Sequence, residues 1–223
     1  MPSDAPRRQY DARRRQDAAR RNRAAVLAAY RELLFRDGYQ ATTIRAVADR
    51  AGVSPETVYK AFGGKPGLLK ALWDITLAGD DEPLAMAERP ALQEAWRTRD
   101  PDIKLRLYAA FVRGVHERLA PLFALLTEAG PAVAGVLAVS EEERLTGVTA
   151  LVAHLADEGV LRPGINQARA ADGCWALTGP QLFTQLTAAR GWHADAYQDW
   201  LADILAATLL DISLTPVPLQ NSS

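Results

Sequence analysis

The chain has 223 residues, 48% of them hydrophobic, and a formal net charge of −1, enough apolar material for a sizeable core in one or two domains. A single cysteine, Cys174, excludes an internal disulfide framework and fits a reducing compartment. No run is expected to reach the roughly 18 apolar residues of a membrane span, and no apolar signal region opens the chain, so the expectation is a soluble, cytoplasmic protein with no membrane partner.

The charge is unevenly spread. Residues 1–79 hold 15 Lys+Arg against 8 Asp+Glu, and the rest of the chain is acidic. A basic first third joined to an acidic remainder points to a polyanion met by the first part alone. Residues 1–19 are polar, with Pro2, Pro6, Arg7, Arg8, Arg13, Arg14 and Arg15, and are expected to be a disordered arm. Such an arm either follows phosphates and enters a minor groove or is a solubilising tail. A helix is expected over 20–37, with Leu27, Tyr30 and Leu34 on one side, Val26 and Leu33 beside them, and Gly38 as its stop. Tyr39 reads as a core residue.

The stretch 41–73 organises the chain. Ile44, Val47, Ala48 and Ala51 fall at i, i+3, i+4 and i+7, one apolar face of a short helix. Thr42 or Thr43 caps its start, and Gly52 supplies the left-handed residue that ends it. Ser54 and Pro55 then open a second helix as N-cap and first helical residue, with Val58 and Phe62 facing inward. Two short helices joined through a glycine form a helix-turn-helix. A helical hairpin in any bundle has the same spacing, but the outward face here carries Ser54, Thr57, Tyr59 and Lys60, followed by Lys65. Short or aromatic donors of that kind suit phosphate oxygens and base edges.

At these residues the sequence resembles the TetR-type transcriptional regulators. The match runs through Gly38-Tyr39, Thr43-Ile44, Val47-Ala48, Ala51-Gly52-Val53-Ser54, Thr57-Val58-Tyr59, Phe62, Lys65 and Leu68-Leu69, over roughly fifty residues. The resemblance implies an all-α protein: an amino-terminal three-helix helix-turn-helix domain (20–66), then a larger helical ligand-binding and dimerisation domain (80–213). It implies a homodimer paired by carboxy-terminal helices, a palindromic double-stranded DNA operator, and a small-molecule effector that releases a repressor. Carried over by position, Thr43 and Ser54 resemble phosphate contacts at helix starts, and Pro55 starts the reading helix. Arg45 and Thr57 resemble base-reading positions, Tyr59 a phosphate-contacting aromatic and Lys65 a phosphate anchor. Lys60 stands at a reading position that varies within the family. Gly63-Gly64 departs from the usual capping residue before Lys65, and Pro66 partly offsets the looser turn.

Leu68, Leu72 and Ile75 predict a linking helix (67–79), ended by the acidic Gly79-Asp80-Asp81-Glu82-Pro83 boundary. Asp100-Pro101 starts a helix with Ile103, Leu107, Phe111 and Val115 as a four-residue ladder; Pro121 interrupts or restarts it before Gly130-Pro131. Ser140 with Glu143 has the form of a capping box, or else lies inside one longer helix from about Val133. Leu145, Val148, Leu151, Val152 and Leu155 continue to Gly159. Ala170, Ala171, Cys174 and Trp175 belong to a short helix, Leu182, Phe183 and Leu186 to the next. Tyr197, Trp200, Leu201, Ile204, Leu205, Leu209 and Leu210 form the last, with apolar surface to spare for a dimer. The tail 214–223 is expected to fray.

The candidate effector site combines Phe111, Val115, Phe123, Leu151, Leu155 and Trp175, with His116 and His154 as polar contacts; aromatics at helical spacing are more often core. His154 and Glu158 sit i, i+4 and could hold a metal, but two such residues are not a site and an ion pair is the stronger reading. Gly63-Gly64-Lys65-Pro66-Gly67 lacks the strand and spacing of a phosphate loop. No catalytic residues, metal or cofactor are expected. A non-specific architectural DNA binder and a helical enzyme remain the alternatives.

Overall fold

The structure, a computed structural model, describes residues 5–82 and 84–211. The first four residues of the arm, Pro83 of the boundary and the tail 214–223 lie outside the described residues. Among the described residues ten α-helices follow one another: α1 (Ala5–Ala41), α2 (Ile44–Ala51), α3 (Pro55–Phe62), α4 (Lys65–Ala78), α5 (Pro90–Arg97), α6 (Pro101–Ala129), α7 (Ala134–Asp157), α8 (Gln167–Leu177), α9 (Pro180–Thr184) and α10 (Ala194–Leu209). Among the described residues the β pairing is a single antiparallel bridge between Leu161 and Leu210. The fold is all-α.

Two compact units divide the chain. The first is the stretch up to Thr76 together with Pro121–Val136; the second is Leu77–Ala120 together with the residues from Leu137 on. Residues 121–136, expected inside the regulatory domain, are thus part of the amino-terminal unit.

In the first unit α1 begins at Ala5 rather than near residue 20, so residues 5–19 of the expected disordered arm are helical. Extending an existing helix avoids the nucleation cost, and Ala, Arg and Gln between Ala5 and Ala19 are good helix formers. Pro6 stands in the first turn, where its missing N–H is no loss. Gly38, at φ 78° and ψ 169°, breaks the helical path as expected. The Thr42 hydroxyl donates to the Gly38 carbonyl at 2.8 Å, which leaves Thr43 as the cap of α2. Val26, Leu27, Tyr30, Leu33, Leu34 and Tyr39 are buried, as are Val47 and Ala48 of α2 and Val58 and Phe62 of α3. Each fully buried Leu or Val contributes about 1.5–3 kcal/mol over an exposed one, so the short helices α2 and α3 become stable only against α1.

Gly67 in the first turn of α4 meets a constraint not evident from its neighbours in sequence. A Cβ there would stand 1.9 Å from the Phe62 carbonyl oxygen. Glycine lets the end of α3 and the start of α4 approach without a clash.

The second unit is built around Leu105, Tyr108, Ala109 and Val112 of α6, Val148, Leu151, Val152 and Leu155 of α7, and Tyr197, Leu201, Leu205 and Leu209 of α10. The Asp100 carboxylate caps α6, accepting from the amides of Asp102 at 2.9 Å and Ile103 at 3.0 Å. The expected ladder is corrected: Ile103 is 50% exposed, whereas Leu105, Tyr108, Ala109, Val112 and Val115 are buried. With about 3.6 residues per turn, a strict four-residue ladder drifts around the helix, starting in solvent at Ile103 and reaching the core at Val115. Pro121 neither interrupts nor restarts α6, which runs through it. Ser140 is a buried residue inside α7, so the longer-helix alternative applies.

Five of the seven apolar residues expected to leave a spare face on the last helix, Tyr197, Leu201, Leu205, Leu209 and Leu210, are buried within the unit's own core. Trp200 and Ile204 are partly buried, and Trp192 beside them is 37% exposed. The expectation of no membrane-length apolar run also changes. The stretch Pro101–Asp157 contains an 18-residue window of mean hydropathy 1.8, of which 17% is buried. Pro121 and the Gly130–Val133 3₁₀ turn lie within that stretch.

Candidate nucleic-acid interface and buried polar core

The helix-turn-helix is held by its caps. Thr43 Oγ1 accepts from the Ala46 amide at 3.1 Å, and Ser54 Oγ from the Thr57 amide at 3.3 Å, each satisfying an otherwise orphaned donor at a helix start. Gly52, at φ 68°, closes α2 by donating to the carbonyls of Ala48 and Asp49. Val53 donates to the Ala48 carbonyl at 3.0 Å. These bonds turn the chain sharply enough for Val58 and Phe62 to enter the same core as Val47 and Ala48.

The opposite face of α3 is open. Ser54, Tyr59 and Lys60 are exposed, as are Thr43 and Arg45 on the α2 side, while Pro55 and Thr57 are half-buried. Tyr59 keeps 55% of its surface. The Ser54 and Thr57 hydroxyls lie 3.2 Å apart. All eight residues expected to face DNA belong to the helix-turn-helix or to the start of α4, and none is fully buried.

Lys65 is more engaged than its sequence position suggests. Its ammonium lies 4.1 Å from the centre of the Tyr39 ring and donates to the Gln40 carbonyl at 3.3 Å, while partial burial lowers its pKa from the ordinary lysine value. Lys65 thus ties the start of α4 to the turn after α1. Arg23 lies over the Phe62 ring at 4.8 Å, and Arg50 pairs with Glu32 at 2.8 Å.

The eight residues expected to line an effector site are not one cluster. Phe123 belongs to the amino-terminal unit. Leu151 and Leu155 are fully buried in the core of the second unit, with Phe111 packed against it; Val115 is buried as well. His154 faces a different set of groups. Lys104, fully buried on α6, donates to His154 Nε2 at 2.8 Å and to the Glu158 carboxylate, with the Trp96 ring edge-on to His154 at 4.8 Å. An ammonium ion already occupies the place a metal would take between His154 and Glu158. Among the described residues no group of three or more His, Cys, Asp or Glu is arranged to hold a metal.

His116 and Trp175 meet elsewhere, around Thr178 at the end of α8. His116 Nε2 lies 2.9 Å from the Thr178 carbonyl oxygen. Arg144 of α7 donates to the Trp175 carbonyl, to Thr178 Oγ1 at 3.3 Å and to Glu141, and its guanidinium stacks 4.8 Å from the Trp175 ring. Phe183 of α9 packs on His116 at 5.5 Å and edge-on to Tyr197 of α10 at 5.0 Å. Burial pushes the His116 pKa down to about 4 and raises that of Tyr197. Arg144, Thr178, Phe183 and Tyr197 are absent from the sequence-based site because they come from four separate elements with no common spacing. A separate cleft of about 430 Å³, lined by Arg162, Asn166, Arg169, Cys174, Leu177 and Leu209 among others, was equally hidden. Burial pushes the Cys174 thiol up to about 12, so it is an inert part of that wall.

The fold and its amino-terminal face define an all-α protein with an amino-terminal helix-turn-helix and a helical carboxy-terminal unit. The family described as "Bacterial regulatory proteins, tetR family" matches residues 26–72, the part of the chain that holds the helix-turn-helix. Over 47 residues, 21% of this chain, it is 43% identical to the uncharacterized HTH-type transcriptional regulator YvkB of Bacillus subtilis (strain 168); the match spans 25% of that relative. Two solved structures cover most of the chain. SmeT, the repressor of the Stenotrophomonas maltophilia multidrug efflux pump SmeDEF, is 19% identical with a TM-score of 0.62, over 90% of this chain and 96% of its own. FadR of Bacillus subtilis, in complex with stearoyl-CoA, is 16% identical with a TM-score of 0.63, over 82% of this chain and 96% of its own. At these identities the likeness is one of fold.

Proposed function

We propose that this chain is a cytoplasmic, ligand-responsive transcriptional repressor that binds a palindromic DNA operator as a homodimer. The observation that supports it most is the outward face of α3, where Ser54, Thr57, Tyr59 and Lys60 stand on a doubly capped helix-turn-helix. In this reading α3 enters the major groove and two copies read two half-sites. Thr43, Ser54 and Tyr59 contact phosphates, Arg45 and Thr57 read bases, and Lys65 supports the turn while adding a phosphate contact. The partly buried Trp200 and Ile204 with the more exposed Trp192 form the dimer surface; two-fold pairing is the commonest closed arrangement.

A small, largely hydrophobic effector binds the carboxy-terminal unit and weakens operator affinity. SmeT has been solved with triclosan and FadR with stearoyl-CoA, and each of these molecules carries a large apolar part. Selection of bound sequences from random duplex DNA tests the proposal. An enriched inverted repeat, bound more tightly than its scrambled version, is the expected result. Equal affinity for both would favour an architectural DNA binder and overturn the repressor reading.

A further inference from the structure

Eight buried side-chain nitrogen or oxygen atoms have no hydrogen-bond partner among the described residues, and four of them surround Thr178 and Phe183: His116 Nδ1, Arg144 Nε, Trp175 Nε1 and the Tyr197 hydroxyl. Buried polar atoms are paired in the great majority of cases, and each exception calls for an explanation. Here the exceptions are concentrated. His116 and Arg144 share Thr178, at 2.9 Å and 3.3 Å, and His116 and Tyr197 pack on the Phe183 ring. His116 is 4% exposed and Tyr197 fully buried. Helices α6, α7, α8, α9 and α10 each contribute one side of the cluster.

The protonation states follow from the neighbours. A carbonyl oxygen only accepts, so His116 Nε2 carries the proton that points at Thr178. In a neutral ring Nδ1 is then a bare acceptor, and burial keeps the ring neutral at physiological pH. Trp175 Nε1 and Arg144 Nε can only donate. Tyr197 keeps its proton, because burial disfavours the phenolate. The cluster therefore offers three donors, Arg144 Nε, Trp175 Nε1 and the Tyr197 O–H, and two acceptors, His116 Nδ1 and the Tyr197 oxygen. Its charge is already matched, since Arg144 pairs with Glu141. Phe183 and Tyr197 belong to the apolar core of this unit, and Trp175 packs against it.

We infer that this cluster is the effector site, and that it takes a neutral, largely apolar molecule whose single polar group both donates and accepts a hydrogen bond, as a phenol does. The ligand hydroxyl donates to His116 Nδ1 and accepts from Tyr197 or Trp175, while its apolar part lies along Phe183. An anion would need an unmatched buried cation, which Arg144 does not supply. His154 has no part in this, being held by Lys104. The inference rests on the ligand-responsive reading above and adds the chemistry of the ligand.

The test uses the full chain and three matched probes, 4-butylphenol, butylbenzene and 4-butylbenzoate, titrated by calorimetry. The phenol is expected to bind at least about tenfold more tightly than either of the others, the effect of one well-made buried hydrogen bond. Tyr197→Phe removes only the hydroxyl and keeps the ring on Phe183; it is expected to cut the preference for the phenol over butylbenzene about fivefold or more. His116→Leu is expected to do the same, with circular dichroism confirming that each variant is folded. Equal binding of phenol and hydrocarbon, tighter binding of the benzoate, or a preference that survives both substitutions would each overturn the inference. So would the absence of binding by all three probes. If random duplex DNA yields an inverted repeat while the phenol does not bind, only this inference falls. If the phenol binds with the expected dependence on Tyr197 and no DNA sequence is selected, the repressor reading falls and the site stands.

Discussion

Lys65 holds the start of α4 through the Tyr39 ring and the Gln40 carbonyl, so one substitution there tests two roles. Lys65→Ala is expected to lower the melting temperature by a few degrees, since a charged hydrogen bond and a cation–π contact are lost. It is also expected to weaken binding to all DNA sequences alike and to flatten the salt dependence by about one unit of slope. Arg45 is exposed; Arg45→Ala should leave the melting temperature unchanged and reduce discrimination between operator and mismatched DNA. Fluorescence anisotropy across a salt series separates the two outcomes, and wild-type affinity in both variants would sink the proposed interface. His116 makes a prediction about pH. Its folded pKa of about 4 lies below the ordinary value of 6.5, so between these values the unfolded chain binds more protons. Stability is then fully present above pH 6.5 and declines as pH falls toward 4, by on the order of 3 kcal/mol. Urea denaturation of His116→Leu at several pH values should show a flatter profile over that interval; an unchanged profile would mean that the histidine is not buried neutral.

At the level of elements, Gly67 provides the sharpest structural test. A methyl group at 1.9 Å from the Phe62 carbonyl oxygen forces backbone to move, and overpacking of this kind costs about 1–3 kcal/mol. Gly67→Ala should therefore lower the denaturation midpoint and disturb the reading helix; an unaffected midpoint would show that α3 and α4 approach less closely. The helix-turn-helix itself was legible, because Thr43, Gly52, Ser54 and Pro55 are local signals whose effects fall within four residues of each. Other features were not. The buried face of α6 follows a three-and-four spacing, and the apolar ladder from Ile103 to Val115 obscured it. The extension of α1 back to Ala5 needed helix propensity to be weighed against charge. That extension changes the meaning of the arm, whose exposed Arg14 stands on a regular helix. Deleting residues 1–17 is expected to leave the melting temperature nearly unchanged while weakening DNA binding and lowering its salt slope. An unaltered slope would reduce the segment to a solubilising tail. The polar core around Thr178 was beyond the sequence for a different reason: it joins five helices, and pairing between distant elements leaves no periodic trace.

For the molecule as a whole, the proposal requires that DNA and effector compete through one equilibrium. An effector shifts that equilibrium only by its difference in affinity for the two conformations. A tenfold change in operator affinity corresponds to about 1.4 kcal/mol of coupling, inside the usual range for allostery. Reciprocity then fixes an independent measurement. If 4-butylphenol weakens operator binding tenfold, saturating operator DNA must weaken 4-butylphenol binding tenfold as well, and Tyr197→Phe must reduce both effects together. The coupling should also depend on assembly, because two reading heads respond to spacing only when they are joined. Sedimentation is expected to show a dimer, and substituting Trp192 and Ile204 by polar residues should yield a monomer that retains the phenol site. In that monomer the ligand is expected to bind with nearly wild-type affinity, while the operator binds weakly and without response to ligand. A full ligand response in a monomer would show that the signal runs within one chain and would overturn the dimer mechanism, leaving the effector site untouched.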